Sequence, residues 1–224
     1  MAKRPVYVVL ESGDEFIEER FVEFEWFKGF SVSQKQKSIK SLHKEFNKVE
    51  VGKNVLEISS KSDVEHGVLA SAFNLPIKTI EGKKICTLES LFQSCKKFEK
   101  GGPYKDILTL DSLEAKKDER LKKSGALLCF EYKGEEWSLE PKTHFYDWIY
   151  INALYQNKDL VEKIVQYDAF TDIEFNPKKS INNQARAAAL FVSLYRRGML
   201  KMVLDNKDYY LSIMKIKYTE QLKF

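Results

Sequence analysis

Thr87-Leu-Glu-Ser-Leu-Phe-Gln-Ser-Cys-Lys-Lys-Phe-Glu-Lys-Gly-Gly-Pro103 is the stretch on which the reading of the fold turns. Leu88, Leu91, Phe92, Cys95 and Phe98 recur at helical spacing behind a threonine suited to cap a helix, which predicts a helix from 87 to about 98. Gly101-Gly102-Pro103 stops it. On either side the pattern changes to that of strands, at 55–58 upstream and 126–132 downstream. Further out, 6–10 and 21–26 read as a hairpin turning at Ser12-Gly-Asp14, with Val22, Phe24 and Trp26 alternating against Glu23 and Glu25. Ser33 begins a helix with Ile39, Leu42 and Phe46 on one face. A polar loop is expected from 58 to about 70, and Pro76 makes 71–76 irregular. Toward the C-terminus the pattern predicts a charged helix over 112–123, helices at about 142–156 and 159–167, and a short extended piece at 172–175. A long helix follows, started by Pro177 and a cap at Ser180 and ending at Gly198. The last twenty residues mix strand and helix periods. With no repeat and no linker, the expectation is a single helix-rich α+β domain with a small sheet, spanning residues 1–224.

The 224 residues are 43% hydrophobic and 31% charged, and fifteen Phe, eleven Tyr and three Trp suffice for a real core, which excludes wholesale disorder. No apolar run reaches the ~20 residues that span a bilayer, and the run behind the basic N-terminus is too short for a signal peptide, so the cytoplasm is the expected compartment. The net charge of +4 is mild, and only six of the 37 basic residues are arginine. That suits contact with a few phosphates rather than the coating of a duplex. Cys86, Cys95 and Cys129 lack metal-ligand spacing and sit among apolar neighbours, which predicts reduced, buried thiols. With His43, His66 and His144 isolated from one another, no metal site is expected.

Glu89, Gln93 and Lys96 fall on one stripe of the predicted helix, at the margin of its apolar face. Partial desolvation there lowers the pKa of a lysine and raises that of a glutamate, which suits a nucleophile and a proton carrier. A solvated Glu–Lys stripe has the same spacing. Ser71-Ala-Phe73-Asn74-Leu-Pro places a hydroxyl, a ring and an amide in one kinked loop, either as a nucleotide pocket or as a turn with Phe73 in the core. Lys178 and Lys179 precede a helix start at Ser180, a natural seat for phosphate, or an ordinary solvated cap. Trp137 and the aromatics of 145–148 read more readily as core than as base-stacking platforms, and Asp172 and Glu174 as unpaired edge carboxylates. There is no Gly-rich phosphate loop, no Gly-x-Ser-x-Gly, no His-Glu-x-x-His and no kinase signature.

Glu89-Ser-Leu-Phe-Gln-Ser-Cys-Lys96 resembles the Glu-x-x-[aromatic]-Gln-x-x-Lys helix of the NADAR (YbiA-like) superfamily, and Ser71-Ala-Phe-Asn74 resembles the Ser-Asn-Phe loop that precedes it. Phe24-Glu-Trp-Phe-Lys-Gly-Phe-Ser-Val-Ser-Gln-Lys-Gln-Lys-Ser, Phe145-Tyr-Asp-Trp-Ile-Tyr-Ile-Asn-Ala-Leu and Phe170-Thr-Asp-Ile-Glu-Phe-Asn-Pro-Lys-Lys resemble the NADAR branch found beside DarT-type toxins. The likeness extends over about residues 5–200. After Glu174 the chain departs from the wider superfamily: Lys178, Lys179 and Ser180 stand where an Asp and a Trp-Gly pair are usual, which argues against a carboxylate role at that point. Trp137 matches a superfamily tryptophan at looser spacing.

The resemblance implies an ADP-ribosyl glycohydrolase that removes ADP-ribose from guanine in DNA, as antitoxin to a DNA ADP-ribosyltransferase. Lys96 would be the nucleophile, forming an imine with the ring-opened sugar, while Glu89 moves protons and Gln93 orients ribose hydroxyls. Ser71, Phe73, Asn74 and Trp137 would hold the ligand; Lys179, Ser180 and the lysines after Gln34 would approach phosphates. No cofactor or metal is expected, ADP-ribose being ligand and product. The expected partners are ADP-ribosylated DNA, single-stranded or with the guanine flipped out, and the cognate toxin; no membrane is involved. Two other classes remain: an N-glycosidase of a small free nucleotide, and a non-catalytic ADP-ribose-binding module.

Overall fold

Val6 and Val8 are buried on one side of the first strand and Tyr7 and Val9 on the other, so the sheet built on it has to be covered on both faces. In the computed structural model, which describes residues 1–177 and 180–221, that strand is β1 (Ala2–Val9), paired antiparallel with β2 (Ile17–Phe24). Helix α1 (Val32–Val49), capped by Ser31, covers Val6 and Val8 with Ile39, Leu42 and Phe46. Strand β3 (Val55–Glu57) returns to the sheet. The expected polar loop contains a short helix, α2 (Glu65–Leu69), and a hairpin with no local alternation follows, β4 (Pro76–Lys78) with β5 (Lys84–Thr87).

Helix α3 (Leu88–Ser94) is shorter than its periodicity predicts. Residues expected to continue it form β6 (Lys96–Phe98), pairing antiparallel with a later strand. Gly101-Gly102 therefore does not stop the helix. It turns the chain back, and Gly102 (φ +78°) passes so close to Lys96 that a Cβ would stand 2.4 Å from the Lys96 carbonyl oxygen. After a 3-10 turn (Lys105–Thr109), the expected charged helix is broken at Asp118 into α4 (Ser112–Lys117) and α5 (Arg120–Lys123). The Asp118 carboxylate accepts the Arg120 N–H at 2.9 Å, which starts the second piece separately.

Strands β7 (Leu127–Tyr132) and β8 (Glu135–Trp137) complete a second sheet in the order β6-β7-β8. Helix α6 (His144–Tyr155) is apolar nearly all round and buried along its length, as a central helix must be. Helix α7 (Lys158–Ile164) leads to β9 (Ala169–Thr171), which lies between β1 and β3, antiparallel to the first and parallel to the second. The sheet order is thus β2-β1-β9-β3. Helix α8 (Gln184–Arg196) packs its buried alanines against α6 and against the Tyr7/Val9 face. It starts at a cap on Asn183, not Ser180. Helices α9 (Leu200–Asp205) and α10 (Lys207–Gln221) close the described chain, so the mixed terminal pattern resolves as helix. The architecture is α+β. Cys86 and Cys95 are buried free thiols, but Cys129 is only half-buried. Among the described residues no helix is long and apolar enough to cross a membrane.

Candidate active site

The loop at 71–75 caps the first turn of α3. The Glu89 N–H donates to the Ala72 carbonyl and the Leu88 N–H to the Leu75 carbonyl, both at 2.9 Å, and the Thr87 hydroxyl accepts from the Ser90 N–H. Ser71, Phe73 and Glu89 are thereby set on the wall of one cavity of about 830 Å³, together with Gln93, Lys96 and Tyr146.

Glu89 is 6% exposed and accepts a hydrogen bond from Gln93 Nε2 at 2.9 Å. The amide oxygen of Gln93 is buried and has no partner among the described residues, leaving an acceptor beside the cavity. Lys116, on α4, brings its amine to 3.9 Å from Glu89 Oε1 and lies 5.0 Å over the Phe73 ring. Neither contact is readable in the sequence.

Lys96 reaches this cavity from a strand rather than from the helix. The chain leaves α3 after Ser94 because β7 takes up the backbone that follows: the Glu131 N–H donates to the Cys95 carbonyl at 2.7 Å, and Lys96 pairs with Phe130. Strand alternation sends neighbouring side chains to opposite faces. Lys96 lies with its amine 4.8 Å over the Phe92 ring, while Lys97 turns to solvent and pairs with Glu136 at 2.6 Å. Burial pushes the Lys96 amine down to about 8; the Glu89 charge opposes that shift and the Lys116 charge adds to it. Phe92 and Phe130, 5.3 Å apart, form the apolar wall beside it.

Asp172 also lines the cavity, and it is buried. Its Oδ1 accepts the Glu174 and Phe175 N–H groups at 3.0 and 3.1 Å, and its Oδ2 accepts Gln184 Nε2 at 3.0 Å. Gln184 in turn accepts the Ala72 N–H at 2.8 Å, tying the two sides of the site together. Burial first, and the neighbouring Glu57 charge second, raise the Asp172 pKa well above the usual carboxylate range. The expectation of an idle edge carboxylate is corrected: residues 172–174 are not an extended edge but a turn under the end of β9. The Asp-Ile-Glu pattern gave no sign of burial because the burying elements, α6 and α8, lie elsewhere in the chain.

The other expected residues divide. Ser71 is on the wall, but its hydroxyl donates to the Val68 carbonyl at 2.6 Å and accepts from Asn74 Nδ2 at 2.9 Å, so it holds the loop. Asn74 itself is off the main cavity and lines a neighbouring groove that shares Ser60 and Phe73 with it. Trp137 stands away from the cavity, packed on Phe145 and Trp148 with Lys207 over its face, because β7 lies between its strand and that of Lys96. Ser180 is on the cavity wall, whereas Lys179 lies outside the described residues. The helix start expected at Ser180 lies further on: Asn183 Oδ1 accepts the first free N–H groups of α8, from Ala185 and Arg186. Of the lysines after Gln34, Lys35 is engaged with Glu174 at 2.8 Å and stacks over Trp26, while Lys37 is exposed. Among the described residues no three His, Cys, Asp or Glu side chains gather as metal ligands would.

No curated protein matches this chain. A family model described as the DarT1-associated NADAR antitoxin matches residues 2–223, nearly the whole length. Glu89, Gln93 and Lys96 share one cavity, and the chain belongs to the family of DarT1-associated NADAR antitoxins.

Proposed function

We propose that this antitoxin is an ADP-ribosyl glycohydrolase that cleaves the N-glycosidic bond between ADP-ribose and guanine in DNA. The observation that carries the reading is the Lys96 amine, desolvated against Phe92 and lining the same cavity as Glu89 and Gln93. An amine with a pKa near 8 is partly neutral at physiological pH, as a nucleophile must be. Lys96 attacks the anomeric carbon of the distal ribose, and the sugar opens to an imine. Glu89 takes the proton that the amine sheds, Gln93 receives a ribose hydroxyl on its unpartnered oxygen, and water releases ADP-ribose. Phe73 and Lys116 line the cavity together, a ring and a cation suited to a base and a phosphate.

The test is release of ADP-ribose from a single-stranded oligonucleotide carrying ADP-ribosylated guanine. Borohydride added during turnover is expected to leave one ADP-ribose-sized adduct on Lys96. Lys96→Ala and Lys96→Arg should lose turnover, the latter because a guanidinium stays protonated, and Lys97→Ala should keep it. Cleavage of free ADP-ribosyl nucleotides but not of DNA would shift the reading to a small-nucleotide N-glycosidase. Binding without turnover would make the chain a binding module.

A further inference from the structure

Two buried carboxylates that the mechanism above does not use are folded against one another at the end of the central sheet. Glu57 ends β3, and the parallel register sets it opposite Thr171, the residue before Asp172. Its carboxylate accepts the Thr171 hydroxyl at 2.6 Å and the Ile173 N–H at 2.8 Å, so it grips the chain on both sides of Asp172. Glu57 is 1% exposed and is not part of the cavity wall; Asp172 is. One carboxylate thus faces the ligand space and the other sits behind it, and burial disfavours the charged form of both.

Building on the glycohydrolase reading, we propose that Asp172 is the catalytic acid that protonates the departing guanine, and that Glu57 is a positioning residue that keeps that proton on Asp172. The C–N bond breaks with its electron pair passing to the base nitrogen, the Asp172 proton follows it, and guanine leaves neutral. Lys96 nitrogen bonds to the anomeric carbon. The proton lost by Lys96 goes to Glu89 and is returned to Asp172 through solvent when water hydrolyses the imine.

The surroundings support an acid at this place. Gln184 donates to Asp172 Oδ2, which keeps a lone pair and a proton site for the cavity, while Oδ1 is held by two backbone N–H groups. Around it stand Arg4 from β1, Glu57 from β3, Tyr146 and Tyr150 from α6, and Glu174 of its own turn, the last paired with Lys35 of α1. His43 of α1 hydrogen-bonds Thr171 at 2.8 Å; burial lowers its pKa to about 4, so it adds no charge near neutrality. Glu89, Tyr146 and Asp172 line one and the same cavity.

A leaving group that needs no proton separates this role from a structural one. Asp172→Asn is expected to slow cleavage of ADP-ribosylated guanine in DNA by about 10²–10⁴-fold. On an ADP-ribosyl 4-nitrophenyl conjugate of the same anomeric configuration it should slow cleavage less than about tenfold, because nitrophenolate departs unaided. Glu57→Gln should leave Asp172 more acidic and move the alkaline limb of kcat/KM on the DNA substrate to lower pH. Equal losses on both substrates, wild-type cleavage of the DNA but not of the nitrophenyl conjugate, or an unshifted limb in Glu57→Gln overturns the assignment alone. Failure of the wild type to release ADP-ribose from either substrate overturns the glycohydrolase reading, and this assignment with it.

Discussion

Lys96 carries a cost that a structural lysine would not. Its pKa in the fold is about 8 against 10.5 for the free side chain, so the protonated amine favours the unfolded chain. That penalty is fully present below about pH 8 and fades as pH rises toward 10.5. Lys96→Met should therefore be more stable than the wild type at pH 7, by on the order of 3 kcal/mol, with the gap closing between pH 8 and 10.5. Urea melts at pH 7 and pH 10 measure it, and a gap independent of pH would mean the amine is not desolvated. The methionine variant should be inactive at every pH, the outcome expected if stability is given up at this residue for function.

Elements matter through what they force on the site. Gly102 crosses under β6 where a side chain has no room, so Gly102→Ala has to push the Lys96 carbonyl aside and carry an unfavourable φ as well. A displacement near 1 Å of a reacting group costs about 100-fold in rate. The variant should stay folded by circular dichroism and lose turnover on that scale; wild-type rates would show that β6 does not set the amine. Between α6 and α8, Arg186 donates to the carboxylate of Asp147, which is 0% exposed and also accepts the Thr143 hydroxyl at 2.9 Å. Asp147→Ala strands a buried guanidinium and is expected to destabilise the fold by about 3 kcal/mol or more. Replacing both partners with apolar residues should recover part of that loss in thermal melts.

Over the whole molecule, dispersed lysines and a net charge of +4 suit a small nucleic-acid footprint. The expected salt dependence of single-stranded DNA binding corresponds to roughly two to four phosphates, each contributing ~0.7 to the log–log slope. A slope magnitude above about 6 would reveal a basic groove that the dispersed lysines do not suggest. In the proposed mechanism acid, base and nucleophile are all side chains of this chain, so turnover should survive exhaustive chelation; a loss restored by magnesium or zinc would overturn that expectation.

Much of this was legible in the linear chain. Alternation in β2 and the one-faced periodicity of α1 are short-range signals, and they reported the α+β class correctly. The likeness of the Glu89-to-Lys96 stretch to a known motif singled out three residues that do share one cavity. What local pattern could not decide was the conformation of 95–98, whose apolar residues suit a helix and a strand alike. The backbone hydrogen bonds offered by β7 choose the strand, and with it the opposite facing of Lys96 and Lys97. The same holds for the rest. Asn183 rather than Ser180 caps α8, Trp137 is taken into the aromatic core around Phe145, and Asp172 is buried against Glu57 because β3 and β9 run parallel. Period and capping are encoded within a few residues, whereas burial and charge coupling arise only when distant segments meet.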